Sequence, residues 1–345
     1  MGWWDAEHPP AKACRSPRRA PSLSSPDGTA AFGFALARGR RATMEDFCAA
    51  GFREHPELAA AAGAFAVFDG HGGARAAAYA AARLFDLAFA HPALAADPGA
   101  ALAAAFEAVD AAYVSGGGGD ARSPVSPRSP TGSSLKTPRT PPNGPPPADD
   151  GCTAVAALVT GDALVVAHVG DSRAVLVEPP APGAPAGTPP VATALSQDHK
   201  PDRVDERARI EAAGGAVVWA GAWRVGGVLA VSRAIGDAPL KPCGVTAVPE
   251  VALTRLSTLR GGRSEGAEPG SPTTALSFPP LLVLASDGVW DVLSNDTAAS
   301  VAAGAAGAAG DAAAAARALA GEALRRGTAD NVSVIVVRLG AAGVA

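Results

Sequence analysis

The chain has 345 residues, of which 48% are hydrophobic and 18% charged, a composition too apolar for a chain that is disordered throughout. The formal net charge is −4 and no long basic stripe occurs, which argues against nucleic-acid binding. Glycine- and proline-rich sequence with few apolar residues occupies residues 1–28, 115–150, 179–190 and 260–280. Without these stretches about 250 residues remain, the upper size of one hydrophobic core. We therefore expect a disordered leader over residues 1–28 and a single domain over residues 29–340 with low-complexity insertions.

Three features predict an intracellular protein that does not span a membrane. The most lipid-like stretch, residues 297–310, consists mostly of alanine and glycine and is shorter than the ~20 apolar residues of a membrane helix. Asp5 and Glu7 argue against a secretory or transit peptide. The cysteines form no Cys-x-x-Cys pair, which favours free thiols in a reducing compartment. We expect a monomer in the cytoplasm, the nucleus or both.

The predicted elements alternate between groups of strands and pairs of helices. Aromatic and aliphatic runs predict strands at residues 32–37, 47–52 and 64–68, and helical spacing predicts helices at 74–90 and 100–114. A meander follows at residues 152–159, 163–169 and 173–177, and then a helix at 203–213. Further strands are predicted at 217–219, 228–231, 251–255, 281–285 and 332–339, with helices at 296–309 and 312–326. This order predicts an α+β fold with antiparallel sheets.

The insertion at residues 115–150 contains repeated Ser-Pro and Thr-Pro pairs between residues 123 and 141. Such a segment has too little apolar area to offset the entropy of ordering it, so a disordered surface loop is one interpretation. The other is a regulatory segment phosphorylated by a proline-directed kinase.

Aspartates follow buried-type strands at three places in the chain. Asp69 ends the strand at 64–68, Asp171 follows the strand at 163–169, and Asp287 follows the strand at 281–285. Asp330 lies just before the last strand and shares an edge with Asp287 if those strands are antiparallel neighbours. Clustered carboxylates repel one another, and oxygen-bound Mg²⁺ or Mn²⁺ is the usual remedy. The sequence therefore predicts a divalent-metal site.

Eight motifs occur in an order that resembles the metal-dependent protein phosphatases of the type 2C (PPM) family, particularly plant-type members. They are Arg41–Asp46, Asp69–Gly73, Gly151–Ala154, Gly170–Arg173, Asp198–Pro201, Val231–Asp237, Ser286–Asp291 and Asp330–Ser333. The resemblance runs from about Phe32 to Leu339 and implies an αββα sandwich, two central antiparallel sheets flanked by helix pairs. It also implies a serine/threonine phosphatase that acts on phosphoproteins by in-line attack of a water bridging two metal ions, without a covalent intermediate.

The resemblance assigns a role to particular side chains. It implies that Asp69 bridges two metal ions, with Asp287 and Asp330 completing one coordination sphere. The Gly70 carbonyl and Glu45 serve the other ion. Further positions match a third, weaker ion, namely Asp171 and Asp291, and supporting positions beside the ligands, namely Asp46 and Asn331.

Two other side chains match catalytic positions of the family. Arg41 takes the position that binds the phosphate, and His71 takes that of the general acid. The alternative functions are an inactive relative that serves as a scaffold and a hydrolase of other phosphoesters.

In some plant members of the family a tryptophan contacts hormone receptors, and Trp219 lies one residue away from the matching position. We therefore expect Trp219 and Trp223 to pack the surrounding flap against the core.

Overall fold

Two antiparallel sheets lie face to face in the computed structural model, which describes residues 4–5, 23–26, 28, 30–116, 149–185, 187–259, 278–307 and 309–340. The strands are β1 (Trp4–Asp5), β2 (Leu23–Ser24), β3 (Ala30–Ala37), β4 (Phe47–Arg53), β5 (Ala62–His71), β6 (Gly151–Thr160), β7 (Ala163–Val169), β8 (Arg173–Glu178), β9 (Val191–Ala194), β10 (Val217–Trp219), β11 (Trp223–Val225), β12 (Ile235–Gly236), β13 (Glu250–Arg255), β14 (Leu281–Ala285) and β15 (Val332–Leu339). The helices are α1 (Arg75–Ala90), α2 (Pro98–Val114), α3 (Val204–Ala212), α4 (Asp287–Trp290), α5 (Asn295–Ala306) and α6 (Ala312–Arg325). Short 3₁₀ helices cover Ala238–Cys243 and Leu256–Thr258.

The two sheets and two helix pairs form four layers. The first sheet has the order β1-β4-β5-β6-β7-β13 with β12 beside β6, and the second has the order β2-β3-β15-β14-β8-β9. Helices α1 and α2 cover the first sheet, while α5 and α6 cover the second. Aromatic and aliphatic side chains such as Phe32, Phe65 and Leu282 fill the space between the sheets. The αββα sandwich predicted from the sequence is confirmed.

Small residues bring the outer helices close to the sheets. A Cβ atom added at Gly33 on β3 would lie 2.3 Å from the Cα of Ala313 on α6, so only glycine permits this approach. Alanines on the inner face of α6, including Ala316 and Ala320, are fully buried. The alanine-rich composition of these helices therefore serves close helix–sheet packing. Among the described residues, no helix is both long and apolar enough to cross a membrane.

The predicted elements differ from the structure in several places. The strand predicted at 228–231 is absent, because Leu229 forms only an isolated bridge to Val225, and the partner of β10 is instead β11. Residues 179–185 and 187–190 form the turn region between β8 and β9, and β9 was not predicted. Within the predicted leader, β1 pairs with β4 and β2 pairs with β3. Most of the leader and residues 117–148 and 260–277 of the insertions lie outside the described residues.

The two tryptophans of the flap, which we define as residues 217–231, behave differently from each other. Trp223 is partly buried against the small core under the flap and lies beside the guanidinium of Arg207. Trp219 is 61% exposed and meets Trp223 edge to face. The prediction that both tryptophans pack the flap against the core is therefore wrong for Trp219. The short hairpin leaves its tip outside the core, where none of the described residues forms a second layer over it.

Candidate active site

The ends of four central strands meet at one edge of the sandwich. Asp69, Gly70 and His71 are the last residues of β5, and Asp171 follows β7 after one glycine. Strands β14 and β15 are antiparallel neighbours, with Ala285 opposite Val334, so Asp287 and Asp330 lie at the same edge as expected. These carboxylates, together with Arg41, Glu45, His71 and Asn331, line one cleft of about 810 Å³. Asp46 and Asp291 do not line the cleft.

The carboxylates of the cleft carry more negative charge than the protein around them balances. Burial raises the pKa of Asp69 well above its usual value, and the charges of Asp46, Asp287 and Asp171 raise it further. Burial likewise raises the pKa of Asp287, and the charges of Asp171, Asp291 and Asp330 raise it further. The Oδ1 atom of Asp287 is buried and has no hydrogen-bond partner among the described residues. A buried carboxylate oxygen without a donor, among repelling carboxylates, suits a bound divalent cation.

Two basic side chains reach into this acidic cluster. Arg41 Nη2 lies 2.5 Å from Asp330 Oδ2, and Lys200 Nζ lies 2.5 Å from Asp171 Oδ2. Burial lowers the pKa of Lys200, but the charge of Asp171 and its hydrogen bond outweigh this and raise it overall. Burial raises the pKa of Asp291 overall, although the charge of the same ammonium group opposes this shift. Sequence reasoning gave Lys200 no role, although its motif, Asp198–Pro201, was part of the resemblance.

Asp46 and Asn331 form hydrogen bonds that connect the segments around the cleft. The hydroxyls of Ser286 and Ser333 donate to Asp46 Oδ2 at 3.0 and 2.7 Å. Burial raises the pKa of Asp46 to about 6, although these two hydrogen bonds oppose the shift. Asn331 Oδ1 accepts a hydrogen bond from the backbone N–H of Glu45 at 2.8 Å, so it connects the loop before β4 to the start of β15. Both predicted supporting residues thus lie next to predicted ligands.

His71 also lines the cleft, and its ring is hydrogen-bonded to a carboxylate. Its Nε2 lies 2.8 Å from Asp237 Oδ2. Burial lowers the pKa of His71, but the hydrogen bond and charge of Asp237 outweigh burial and raise it overall. Sequence reasoning did not identify Asp237, because nothing in the motif Val231–Asp237 indicates that its last residue reaches a strand more than 160 positions earlier.

A second group of candidate ligands, His168, His199 and Glu250, lies away from the cleft. The imidazole rings stack at 4.4 Å between centroids, and His199 Nε2 lies 3.5 Å from Glu250 Oε2. His199 Nδ1 accepts the backbone N–H of Gly170 at 3.2 Å, so the proton of the neutral ring is on Nε2. His168 Nε2 donates to the Gln197 carbonyl at 2.8 Å. Neither Nε2 therefore offers a lone pair to a metal ion, and we interpret the group as a structural contact.

This histidine pair predicts a loss of stability in mild acid. Burial, followed by the charge of His168 and that of Arg233, lowers the pKa of His199 to about 2. The unfolded chain, with an ordinary histidine pKa near ~6.5, then binds a proton that the folded protein does not. The contribution of this group to the free energy of unfolding is therefore complete above about pH 6.5 and is lost as the pH falls below that value. The loss is about 1.4 kcal/mol between pH 7.5 and 5.5 for this one group.

Urea unfolding at the two pH values in the presence of a chelator measures the effect. In His199→Gln the fall in unfolding free energy between pH 7.5 and 5.5 should be smaller by about that amount, whereas His55→Gln, on the more open loop after β4, should retain the full fall. An unchanged fall in His199→Gln would show that this ring does not control the acid response.

Comparison with known proteins gives consistent matches over nearly the whole described domain. A family model described as "Protein phosphatase 2C" matches residues 30–259 and 277–332. The chain is 40% identical over 314 residues to "Probable protein phosphatase 2C 59" of Arabidopsis thaliana, covering 91% of this chain and 81% of the relative. It is 38% identical to "Probable protein phosphatase 2C 71" of the same plant, again over 91% of this chain but only 56% of that longer relative.

Solved structures agree on the fold. A serine-threonine phosphatase 2C from Toxoplasma gondii superposes with a TM-score of 0.66 at 21% identity, covering 95% of this chain and 99% of the other. A C. elegans sex-determining protein gives a TM-score of 0.65 at 23% identity, covering 90% of this chain and 65% of that one. At these identities the likeness supports the arrangement of the four layers and nothing finer.

Proposed function

The chain belongs to the protein phosphatase 2C family, and we propose that its domain hydrolyses phosphoserine and phosphothreonine in protein substrates with the help of Mg²⁺ or Mn²⁺. The observation that carries this proposal is the convergence in one cleft of three repelling carboxylates, Asp69, Asp287 and Asp330, with Arg41 and His71. In the proposed metal-dependent reaction, the metal ligands, the phosphate-binding arginine and the proton donor must all lie within reach of one phosphoryl group.

The residues present fit a site for two divalent ions. Asp69 and Asp287 would hold them together with Asp330, while Glu45 and the Gly70 carbonyl would complete the set. Asp171 and Asp291 would serve a weaker third ion, in competition with the ammonium group of Lys200. When bound, such ions supply Lewis-acid activation and neutralise charge on the phosphoryl oxygens, which lowers the high barrier to phosphate-ester hydrolysis by several kcal/mol.

The protein's own side chains bind the ester and move a proton. Arg41 is 58% exposed at its side chain and stands at the rim, so its guanidinium can bind phosphoryl oxygens in a bidentate geometry that lysine cannot reproduce. His71, in the wall of the cleft, would donate a proton to the leaving serine or threonine oxygen. Water attacks in line with that oxygen, and no covalent phosphoenzyme is proposed.

A direct assay separates this function from its alternatives. Turnover of a phosphothreonine peptide with added Mn²⁺, abolished by chelator, is expected. No turnover under any metal condition would favour a scaffold, although every predicted ligand is present in the cleft or beside it. Faster hydrolysis of nucleotides or sugar phosphates than of phosphopeptides would instead indicate another phosphoester hydrolase.

Arg41→Ala should weaken substrate binding. Its charged hydrogen bonds to the phosphoryl group are worth about 1.5–3 kcal/mol, which corresponds to a rise in KM of roughly 10- to 150-fold for peptide and p-nitrophenyl phosphate alike. Arg40→Ala is the matched control, because Arg40 is exposed but does not line the cleft, and its KM should not change. A fall in kcat at unchanged KM would contradict the binding role, and Mn²⁺ titration shows whether loss of the Asp330 contact disturbs the metal site.

A further inference from the structure

Asp237 has a backbone conformation that residues other than glycine seldom adopt. Its backbone lies in the left-handed region, with φ 51° and ψ 44°, and it is the one non-glycine residue with positive φ among those the structure describes. Its side chain is only 4% exposed. Asp237 lines the cleft, so a buried carboxylate held in this conformation is a candidate for a role in the site.

The register of three strands explains how Asp237 reaches His71. On β6, Gly151 pairs with His71 of β5 on one side and with Gly236 of β12 on the other. Gly151 therefore stands between the histidine and the residue that precedes Asp237. A Cβ atom at Gly151 would lie 2.1 Å from Asp237 Oδ2 and 2.7 Å from His71 Nε2. The contact between Asp237 and His71 thus exists because position 151 has no side chain.

The backbone around Asp237 is fixed independently of this contact. Its own N–H donates to the Asp150 carbonyl at 3.1 Å. The N–H of Gly236 donates to Asp110 Oδ1 on α2 at 2.8 Å, and Lys241 Nζ lies 2.8 Å from the same oxygen. The carboxylate of Asp237 is therefore presented to His71 by a rigid loop that is anchored on α2 and on β6.

We propose that Asp237 is a positioning residue for the proton donor His71, an inference that rests on the proposed phosphatase activity. The His71 Nε2–H donates to Asp237 Oδ2, which fixes the ring and leaves Nδ1 as the nitrogen that delivers the proton. As the P–O bond breaks, its electron pair goes to the leaving oxygen and the Nδ1 proton moves to that oxygen. His71 remains as the neutral ring, still bound to Asp237, and regains a proton from solvent.

Asp237→Asn tests the proposal, because asparagine keeps the size of the side chain and tolerates the left-handed conformation. We expect kcat for a phosphothreonine peptide to fall about 10-fold or more, with KM and Mn²⁺ affinity little changed. The rate on p-nitrophenyl phosphate should fall much less, because its leaving group needs no proton. The ratio of the two rates, measured on one preparation, does not depend on the fraction of folded protein.

A double-mutant cycle makes the test specific to His71. If Asp237 acts through the histidine, Asp237→Asn should add little to the loss caused by His71→Asn. Asp237→Gly, which also accepts the backbone conformation but removes the hydrogen bond, should change the substrate ratio at least as much as Asp237→Asn. Asp86→Asn, an exposed carboxylate on α1 paired with Arg53, is the matched control and should leave both rates unchanged.

The outcomes separate failure of this inference from failure of the proposed function. A wild-type protein that hydrolyses no phosphopeptide with added Mn²⁺ would overturn the phosphatase assignment, and the role of Asp237 with it. An active wild type in which Asp237→Asn slows both substrates equally would overturn only the positioning role. Additive losses with His71→Asn would overturn it as well.

Discussion

Replacing Asp69 or Asp287 by asparagine should reduce phosphopeptide turnover by about 1,000-fold or more and weaken Mn²⁺ binding, because each change removes a charged ligand from the proposed metal site. Lewis-acid stabilisation is worth several kcal/mol, and each ~1.4 kcal/mol corresponds to a factor of ten in rate. Calorimetric titration with Mn²⁺ and steady-state assays on the same preparations measure both effects. Unchanged metal affinity and activity in both variants would contradict the dinuclear site.

The same substitutions should stabilise the metal-free protein. The carboxylates of Asp69 and Asp287 are pressed together with Asp171 and Asp330, and burial together with this repulsion raises their pKa values. Removing one negative charge relieves repulsion only while no cation is present. The melting temperature in chelator should therefore rise in Asp69→Asn, while the rise caused by added Mn²⁺ should shrink. Asp86→Asn should show neither change. A metal-free variant that is less stable than the wild type would mean that the carboxylate stabilises the fold and does not serve to bind a cation.

A gain in metal-free stability together with a smaller stabilisation by Mn²⁺ distinguishes a metal site from a structural acidic cluster. A structural carboxylate such as Glu206 is buried with Arg209 and Arg233, and its pKa is lowered because its hydrogen bonds and charge partners outweigh burial. The pKa values of Asp69 and Asp287 are shifted in the reverse direction, because burial and neighbouring carboxylates raise them. The protein thus tolerates a local loss of stability at the cleft, which is expected where function requires uncompensated charge.

The aspartates at the ends of the strands could be predicted from the sequence because the pattern that indicates them is local. A buried run of five or more apolar residues that ends in aspartate fixes both the strand and the edge at which Asp69 and Asp287 emerge. Pairing of β14 with β15 then brings Asp330 to the same edge. The order of elements likewise predicted an α+β fold with antiparallel sheets, and the family resemblance predicted the four layers.

Contacts made by loops were not predictable in the same way. Asp237 and Lys200 reach the cleft from irregular segments, whose path depends on anchors at distant positions such as Asp110 and Gly170. The strand predicted at 228–231 failed for a related reason: its apolar residues cover a small core under the flap instead of pairing in a sheet. Trp219 is exposed because it lies on a hairpin of three-residue strands, and the part of the chain that the structure describes places no second layer over its tip.

His71→Asn should affect two substrates differently if the histidine is the proton donor. A serine or threonine alkoxide is a poor leaving group and needs a proton as the P–O bond breaks, whereas p-nitrophenolate leaves without one. We expect kcat on a phosphothreonine peptide to fall roughly 100-fold or more, and the rate on p-nitrophenyl phosphate to fall much less. His55→Asn, a histidine outside the cleft, should change neither rate.

The competing explanation is that His71 orders the metal site, since it follows Asp69 and Gly70 on the same strand. Under that explanation, His71→Asn slows both substrates equally and weakens Mn²⁺ binding. In the donor role the proton leaves from Nδ1, because Nε2 is bound to Asp237 on the side of the ring that faces Gly151. A histidine fixed by a carboxylate at one nitrogen can release a proton from the other without changing its orientation. Equal losses on both substrates would instead make a metal-activated water the proton donor.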